Sequence, residues 1–267
     1  MKVVKWTFLS IVTLVSLFPF YVMLMMSTYY SEDIFKGLPL IPSDYLLENL
    51  KTVFKTNFVQ VYLNSMIVSV SAAFIGVFTA TMIGYAVAKY QFKLRSFLRY
   101  FIIITMMVPS QVGLIGYVIE MRTLGFGNTL LSVILIWSAW SFGAFFMVQF
   151  IKDTVPNEVI ECARIDGASE PRIFFNIVIP LIKPGLATLA TLVFLWSWNN
   201  YLLPLVTINN SENYTIPLFV STLGFVHRTD YGARMAALGL STLPVLIIFL
   251  FGSRSFIKGI TSGAVKG

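Results

Sequence analysis

Residues able to do chemistry are few in this chain, and one stretch gathers five of the twelve acidic ones. Between Lys152 and Lys183 stand Asp153, Glu158, Glu161, Asp166 and Glu170, against Lys152, Arg164, Arg172 and Lys183. The charges nearly cancel. A loop that only obeyed a membrane's charge bias would be plainly basic, so this mixed pattern points to recognition of another surface. The single cysteine, Cys162, falls inside the stretch, and the single histidine, His227, lies well after it. One Cys and one His leave no room for an internal disulfide or a Cys/His metal centre. A Cys–His catalytic pair is excluded by the topology below, which sets the two on opposite sides of a membrane. No G-x-x-x-x-G-K-[ST] phosphate loop occurs, so the chain does not cradle ATP in that way.

The elements that must carry this stretch are membrane spans. Of 267 residues, 57% are hydrophobic and 12% charged, against about 45–50% and about 25% in soluble domains. Mean hydropathy is +0.80. So little charge cannot cover a water-exposed surface of this size, and the surplus apolar surface must face lipid or other helices. The net charge of +7 would raise nucleic-acid binding in a soluble protein. No basic stripe interleaved with aromatics occurs here.

A span needs about 20 mostly apolar residues to cross about 30 Å of hydrocarbon. Six runs qualify, at about 6–26, 61–88, 97–119, 130–151, 184–206 and 235–256. The first is too long for a signal-peptide core and no A-x-A site follows it, so it reads as an uncleaved span. With the N-terminus inside, 13 of the 19 Lys and Arg residues fall on inner segments and 6 on outer ones. Both termini are therefore expected in the cytoplasm. Pro19, Pro109, Pro204 and Pro244 each remove a helix hydrogen bond and permit a kink. Residues 28–60 and 207–234 read as polar outer loops, and 152–183 is the inner segment.

Within the inner segment, Pro156 suits the first turn of a helix. Val159, Ile160 and Ala163 repeat at helical spacing, and Glu161 and Arg164 are placed to pair. Gly167 reads as a left-handed stop, and Ser169 as the cap of a second helix opening with Glu170 and Pro171. Two short helices joined by a tight turn are expected along the cytoplasmic face. Small residues at the turn (Cys162, Ala163, Gly167, Ala168, Ser169) let another surface approach the backbone, which favours docking into a partner's groove. A helix resting on the lipid interface would carry more Lys, Arg and large apolar residues.

Glu161-Cys162-Ala163, then Gly167, then Ile177-Val178-Ile179-Pro180, resembles the EAA motif of permease subunits of binding-protein-dependent ABC importers. Residues 161–168 are most similar to the carbohydrate branch, which includes the maltose permeases. Cys162 replaces the middle alanine of the pattern and Ile179 its usual leucine. Trp196-Ser197-Trp198-Asn199-Asn200-Tyr201, followed by Leu203-Pro204-Leu205, resembles the W-N-x-x-x-P pattern in the fifth span of sugar permeases. Gly263-Ala264-Val265-Lys266-Gly267 resembles the GxVKG tail of the smaller, maltose-type permease. Together these cover roughly residues 60–267.

The resemblance implies an all-α, polytopic permease of the type I importer fold with six transmembrane helices, in a bacterial or archaeal cytoplasmic membrane. It implies three partners: a second, different permease, a homodimeric cytosolic ATPase, and an extracytoplasmic sugar-binding protein. ATP and Mg would sit on the ATPase, so this chain would hold no cofactor or metal and would catalyse no reaction. An oligosaccharide is the implied substrate class. Glu161, Cys162, Ala163, Asp166, Gly167 and Ala168 would couple to the ATPase, joined there by the tail residues Gly263, Val265, Lys266 and Gly267.

Trp196, Trp198 and Tyr201 would either stack on sugar or belong to an interfacial aromatic belt. Asn199 and Asn200 would face the pathway or bond between helices, because an unpaired amide in hydrocarbon costs several kcal/mol, roughly. Asn209, Asn210, Glu212 and Asn213 would either touch the binding protein or be solvated loop, and His227 reads as a surface residue. A secondary transporter or channel working alone is the rival reading. It calls for intramembrane carboxylates, and the expected spans hold none, Glu120 lying at an outer end.

Overall fold

The computed structural model describes residues 2–223 and 230–262, with the backbone alone at residue 251 and at residues 253–262. Every regular element among the described residues is helical. In chain order these are α1 (Lys2–Met26), α2 (Leu46–Phe54), α3 (Phe58–Lys89), α4 (Arg95–Met107), α5 (Leu114–Thr123), α6 (Leu131–Ile134) and α7 (Ser141–Thr154). There follow α8 (Asn157–Ile165), α9 (Glu170–Ile173), α10 (Ile179–Leu181), α11 (Lys183–Trp198), α12 (Leu202–Thr207), α13 (Ile216–Thr222) and α14 (Tyr231–Ser262).

Three continuous helices are long and apolar enough to cross a membrane: Lys2–Met26, Phe58–Lys89 and Tyr231–Leu250. Pro19 and Pro244 lie within unbroken helices. The other apolar runs are bent pairs, and counting each pair as one crossing gives up to six. The run expected at 97–119 is broken by 95° between α4 and α5. Val108, ahead of Pro109, is held extended at φ −78°, ψ 122°, because a proline ring disfavours helical backbone in the residue before it. The run at 130–151 bends by 41° at Trp140, without a proline. The run expected at 184–206 stops as a helix at Trp198 and resumes at Leu202. At its other end, Glu170–Leu181 meets α11 at 79°.

The chain forms two compact units. One comprises Met1–Leu63 and Tyr214–Leu246. Here the segment read as a polar loop is folded. Asn49, 1% exposed, donates to the Ser27 and Tyr29 carbonyls at 2.8 and 2.9 Å. Ser31 Oγ accepts from the Tyr231 N–H at 2.8 Å. None of the α1 residues is buried.

The other unit comprises Asn64–Asn213 and Ile247–Gly267. Its core joins Met147 and Ile151 of α7, Leu189 and Val193 of α11, Ala80 and Tyr85 of α3, and residues of the inner segment. Close approach of helices requires missing side chains. A Cβ at Gly84 would lie 2.7 Å from the Met147 Cβ, and one at Gly185 2.6 Å from the Phe150 ring. Phe174–Val178 forms a π turn just ahead of Pro180, where the wider turn makes room for a ring that would otherwise strike the carbonyl one turn back.

Candidate functional site

The inner segment is a helical hairpin seated on the core by one face. Ile160 and Ala163 of α8 are buried, together with Ile173, Phe174, Val178 and Ile182. Burying a side chain the size of Ile160 contributes about 1.5–3 kcal/mol. Val159, expected on the same apolar stripe, is instead exposed. Pro156 stands at the N-cap with extended backbone, one place earlier than expected. At the other end of α8, Gly167 has φ +77°. Its N–H donates to the Arg164 carbonyl and that of Ala168 to the Ala163 carbonyl, both at 3.0 Å, which is the Schellman pairing. Ser169 holds the N-cap position of α9 but its side chain makes no capping bond.

The reversal at Gly167 decides the charge pairing. Arg164 does not pair with Glu161 as its spacing suggests. It donates to Glu170 at 2.7 Å, and its guanidinium lies 5.5 Å from the centre of the Tyr90 ring. The Tyr90 hydroxyl also donates to Glu170. Arg164, followed by Tyr90, holds the Glu170 carboxyl below its ordinary value of 4.5. Burial, followed by the Glu170 bond, pushes the Tyr90 hydroxyl well above 10.0. Lys89 fastens the other end of α8: its Nζ donates to the Val155 carbonyl at 2.5 Å and to Asn157 Oδ1 at 2.9 Å.

Of the residues expected to couple, Glu161, Cys162, Asp166 and Gly167 are exposed, Ala168 is half-buried and Ala163 is buried. Ala163 helps to seat α8 on the core. Ile165, which no sequence motif marks, is 85% exposed at the tip of α8. A cleft of about 310 Å³ runs beside the helix, lined by Lys89, Tyr90, Gln91, Asn157, Ile160, Glu161 and Arg164. It offers both signs of charge beside an apolar side chain, which suits a docking pocket.

The aromatic and amide candidates sit at the break after α11. Trp198 is 3% exposed and stacks on Phe194, with ring centres 5.6 Å apart. It is a packing residue. Trp196 and Tyr201 are exposed, with Trp196 edge-on to Trp140 at 4.9 Å. Asn199 and Asn200 do not lie inside a continuous helix. Asn199 Nδ2 donates to the Leu195 carbonyl at 2.7 Å, and Asn200 Oδ1 accepts from the Leu203 N–H at 3.1 Å. The pair caps the end of α11 and the start of α12, a local use not anticipated from the sequence.

The loop after α12 is held by Asn128, a residue outside the expected site. Asn128 has φ +61°. Its N–H donates to the Thr207 carbonyl at 3.0 Å. Its Oδ1 accepts from the Asn209 and Asn210 N–H groups at 2.8 and 2.9 Å, and its carbonyl from Asn213 Nδ2 at 2.8 Å. Asn64 Nδ2 donates to the Glu212 carbonyl at 2.6 Å. The side chains of Asn209, Asn210 and Glu212 stay exposed and that of Asn213 is half-buried. The run Gly125-Phe126-Gly127-Asn128 was the available signal, since Asn tolerates positive φ. His227 and the tail residues Gly263, Val265, Lys266 and Gly267 lie outside the described residues.

Residues 74–262, which span the hairpin, the amide break and this loop, match the family described as binding-protein-dependent transport system inner membrane component. The chain belongs to this family. The permease is 32% identical to the arabinooligosaccharides transport system permease protein of Halalkalibacterium halodurans, over 97% of this chain and 94% of that one. It is 30% identical to the lactose transport system permease protein of Rhizobium radiobacter, over 99% and 96% of the two chains. A chain of a bacterial ABC transporter involved in the import of the acidic polysaccharide alginate matches the permease with a TM-score of 0.83. The identity is 21%, and the match covers 96% of each chain, which shows the type I importer permease fold. The permease is thus a multi-pass, non-catalytic membrane subunit of a binding-protein-dependent transporter. A transporter working alone, the rival suggested by composition, is set aside by this membership.

Proposed function

We propose that the permease forms half of the translocation pathway of an oligosaccharide importer. It would pair with a second, different permease, and the hairpin 152–183 would couple it to a homodimeric cytosolic ATPase that carries the ATP and Mg. The reading has six crossings, at about 6–26, 61–88, 97–119, 130–151, 184–206 and 235–256, with both termini in the cytoplasm of a bacterium or archaeon. The names of the relatives support the substrate class.

The observation that carries the coupling role is the hairpin itself. Its inner face is seated on the core by Ile160 and Ala163, while Glu161, Cys162, Ile165, Asp166 and Gly167 project outward. Covering Ile165 would add roughly 1.5–3 kcal/mol to docking, and Glu161 would meet basic groups of the ATPase. Closure of the ATPase dimer around ATP would then move α8, and α8 would move α3 and α7 through the Lys89 and Tyr90 contacts. The external binding protein would deliver sugar to the loop 207–213.

Copurification is the direct test. Tagged permease is expected to leave the membrane with an ATPase and a second permease, and to take up sugar only in vesicles that contain ATP. Uptake in ATP-free vesicles, or purification without any ATPase, would sink the reading.

A further inference from the structure

We propose that a cleft beside Asn128 receives an acidic side chain of the external binding protein, with Arg122 as the cation that pairs with it. The proposal rests on the importer reading above and adds to it a specific contact and its chemistry. The cleft measures about 260 Å³ and is lined by Arg122, Gly125, Gly127, Asn128, Thr207 and Asn209.

Its acceptors are already occupied. Asn128 Oδ1 serves the N–H groups of Asn209 and Asn210, the Asn128 carbonyl serves Asn213, and the Thr207 carbonyl serves the Asn128 N–H. What the cleft still offers is a cation. Among the described residues Arg122 takes no part in an ion pair, unlike Lys36 with Asp33, Lys51 with Glu48 and Arg164 with Glu170. The side chain of Arg122 is exposed, yet its stem is constrained. A Cβ at Gly127 would stand 2.9 Å from the Arg122 Cγ, so this glycine lets the arginine lie along the loop. Two glycines in the lining let a carboxylate approach the backbone closely.

The surroundings favour a protein carboxylate as occupant. Gly125 ends α5 by the same Schellman pairing seen at Gly167, with the Phe126 N–H on the Met121 carbonyl at 2.8 Å and the Gly125 N–H on the Arg122 carbonyl at 3.1 Å. Both walls are therefore fixed before any partner arrives, and little ordering entropy is lost on contact. Arg122 lies on an outer segment of a chain that keeps most of its basic residues inside. The cleft also adjoins the loop already read as the binding-protein contact. An exposed charge in such a position sets association rate and salt dependence more than raw affinity.

The test uses the complete transporter in nanodiscs, titrated with its sugar-loaded binding protein while ATP hydrolysis is followed. Arg122→Ala is expected to raise the half-saturating concentration of binding protein about tenfold, Arg122→Glu further, and Arg122→Lys less than either. The unaltered transporter should lose apparent affinity with added NaCl more steeply than the Arg122→Ala variant. Lys51→Ala, at an exposed cation already paired with Glu48, should leave the titration unmoved. If Arg122→Glu fails to accumulate, the salt series on Arg122→Gln against the unaltered protein decides, with a shallower slope expected for the neutral glutamine. An unchanged half-saturation in Arg122→Ala, or equal salt slopes, overturns this proposal alone. Absence of any stimulation in the unaltered transporter overturns the importer reading and this proposal with it.

Discussion

Two helices in this permease end in the same way and are then held by opposite chemistry. α8 stops at Gly167 and α5, read as lying on the outer side, at Gly125, with φ +77° and +78°. Each uses the Schellman pairing to satisfy its last carbonyls. Beyond the glycine the two diverge. The inner hairpin is fastened by ions: Arg164 and Tyr90 on Glu170, Lys89 on Val155 and Asn157. The outer loop is fastened by neutral amides: Asn128 on Asn209, Asn210 and Asn213, and Asn64 on Glu212. Exposed ion pairs are individually weak and salt-sensitive. Amide bonds do not titrate and are little affected by salt. Under the proposed importer reading, a lever moved by an ATPase would suit the first kind of fastening, and a fixed landing surface for the binding protein would suit the second.

The largest effect is expected where one residue holds most of the fastening. Asn128→Ala loses the acceptor of two N–H groups and the short amide that lets asparagine tolerate its positive φ, together costing about 2–3 kcal/mol locally. Asn128→Gly keeps the backbone but not the acceptor, and Asn128→Asp keeps the acceptor. Hydrogen exchange of the 209–210 amides should therefore speed up in the order Ala, Gly, Asp. Equal exchange in all three would show that the loop does not depend on Asn128.

The inner counterpart is Lys89→Met, which removes both bonds at the start of α8 and should cost about 2 kcal/mol. The expected outcome is faster exchange across 155–165 with the outer loop unchanged. A next, smaller effect is expected at Gly167. A Cβ there would meet nothing within 4 Å, so Gly167→Val suffers only the left-handed strain, about 1–2 kcal/mol. Gly167→Asn should cost a few tenths, on the order of its lesser αL penalty. ATP-driven uptake is expected to fall in the valine variant and in Glu161→Ala combined with it, and to survive in the asparagine variant. A steric reading of the glycine would instead predict that both substitutions abolish uptake.

The contrast also explains what could be read from the chain alone. The apolar runs, the stop at Gly167 and the small-residue turn are local patterns, and local patterns are visible in sequence. The Arg164 partner was missed because Glu170 reaches it only after the chain reverses, which spacing along one helix cannot express. Trp198 and Ala163 have residue types that suit contact, and the structure places both in the core, 3% and 7% exposed, which residue type alone does not disclose. The helix breaks at Asn199 and Val108 were hidden inside continuous apolar composition, with only Pro109 and Pro204 to mark them. At Asn128 the glycine-flanked run marks a turn but not its use: the N–H groups that converge on its side chain belong to Asn209 and Asn210, 81 and 82 residues along the chain.

The smallest expected effect is the sharpest test of the ionic fastening. Glu170 is held below its ordinary 4.5, so its contribution is fully present above that value and is lost as pH falls through the depressed one. Tyr90 is held above its ordinary 10.0, so its protonated donor contributes fully below that value and is lost as pH rises through the raised one. Between about 4.5 and 10 the network should therefore be flat in pH, although two of its three members titrate. A double-mutant cycle of Tyr90→Phe and Glu170→Gln, read by unfolding in detergent, should return a coupling of roughly 0.5–1 kcal/mol. That energy should be the same at pH 6 and pH 8. Tyr90→Phe keeps the ring beneath the Arg164 guanidinium, so the cycle isolates the hydroxyl–carboxylate bond. A coupling that changed between those two pH values would mean that some other titrating group, and not this trio, sets the angle of α8.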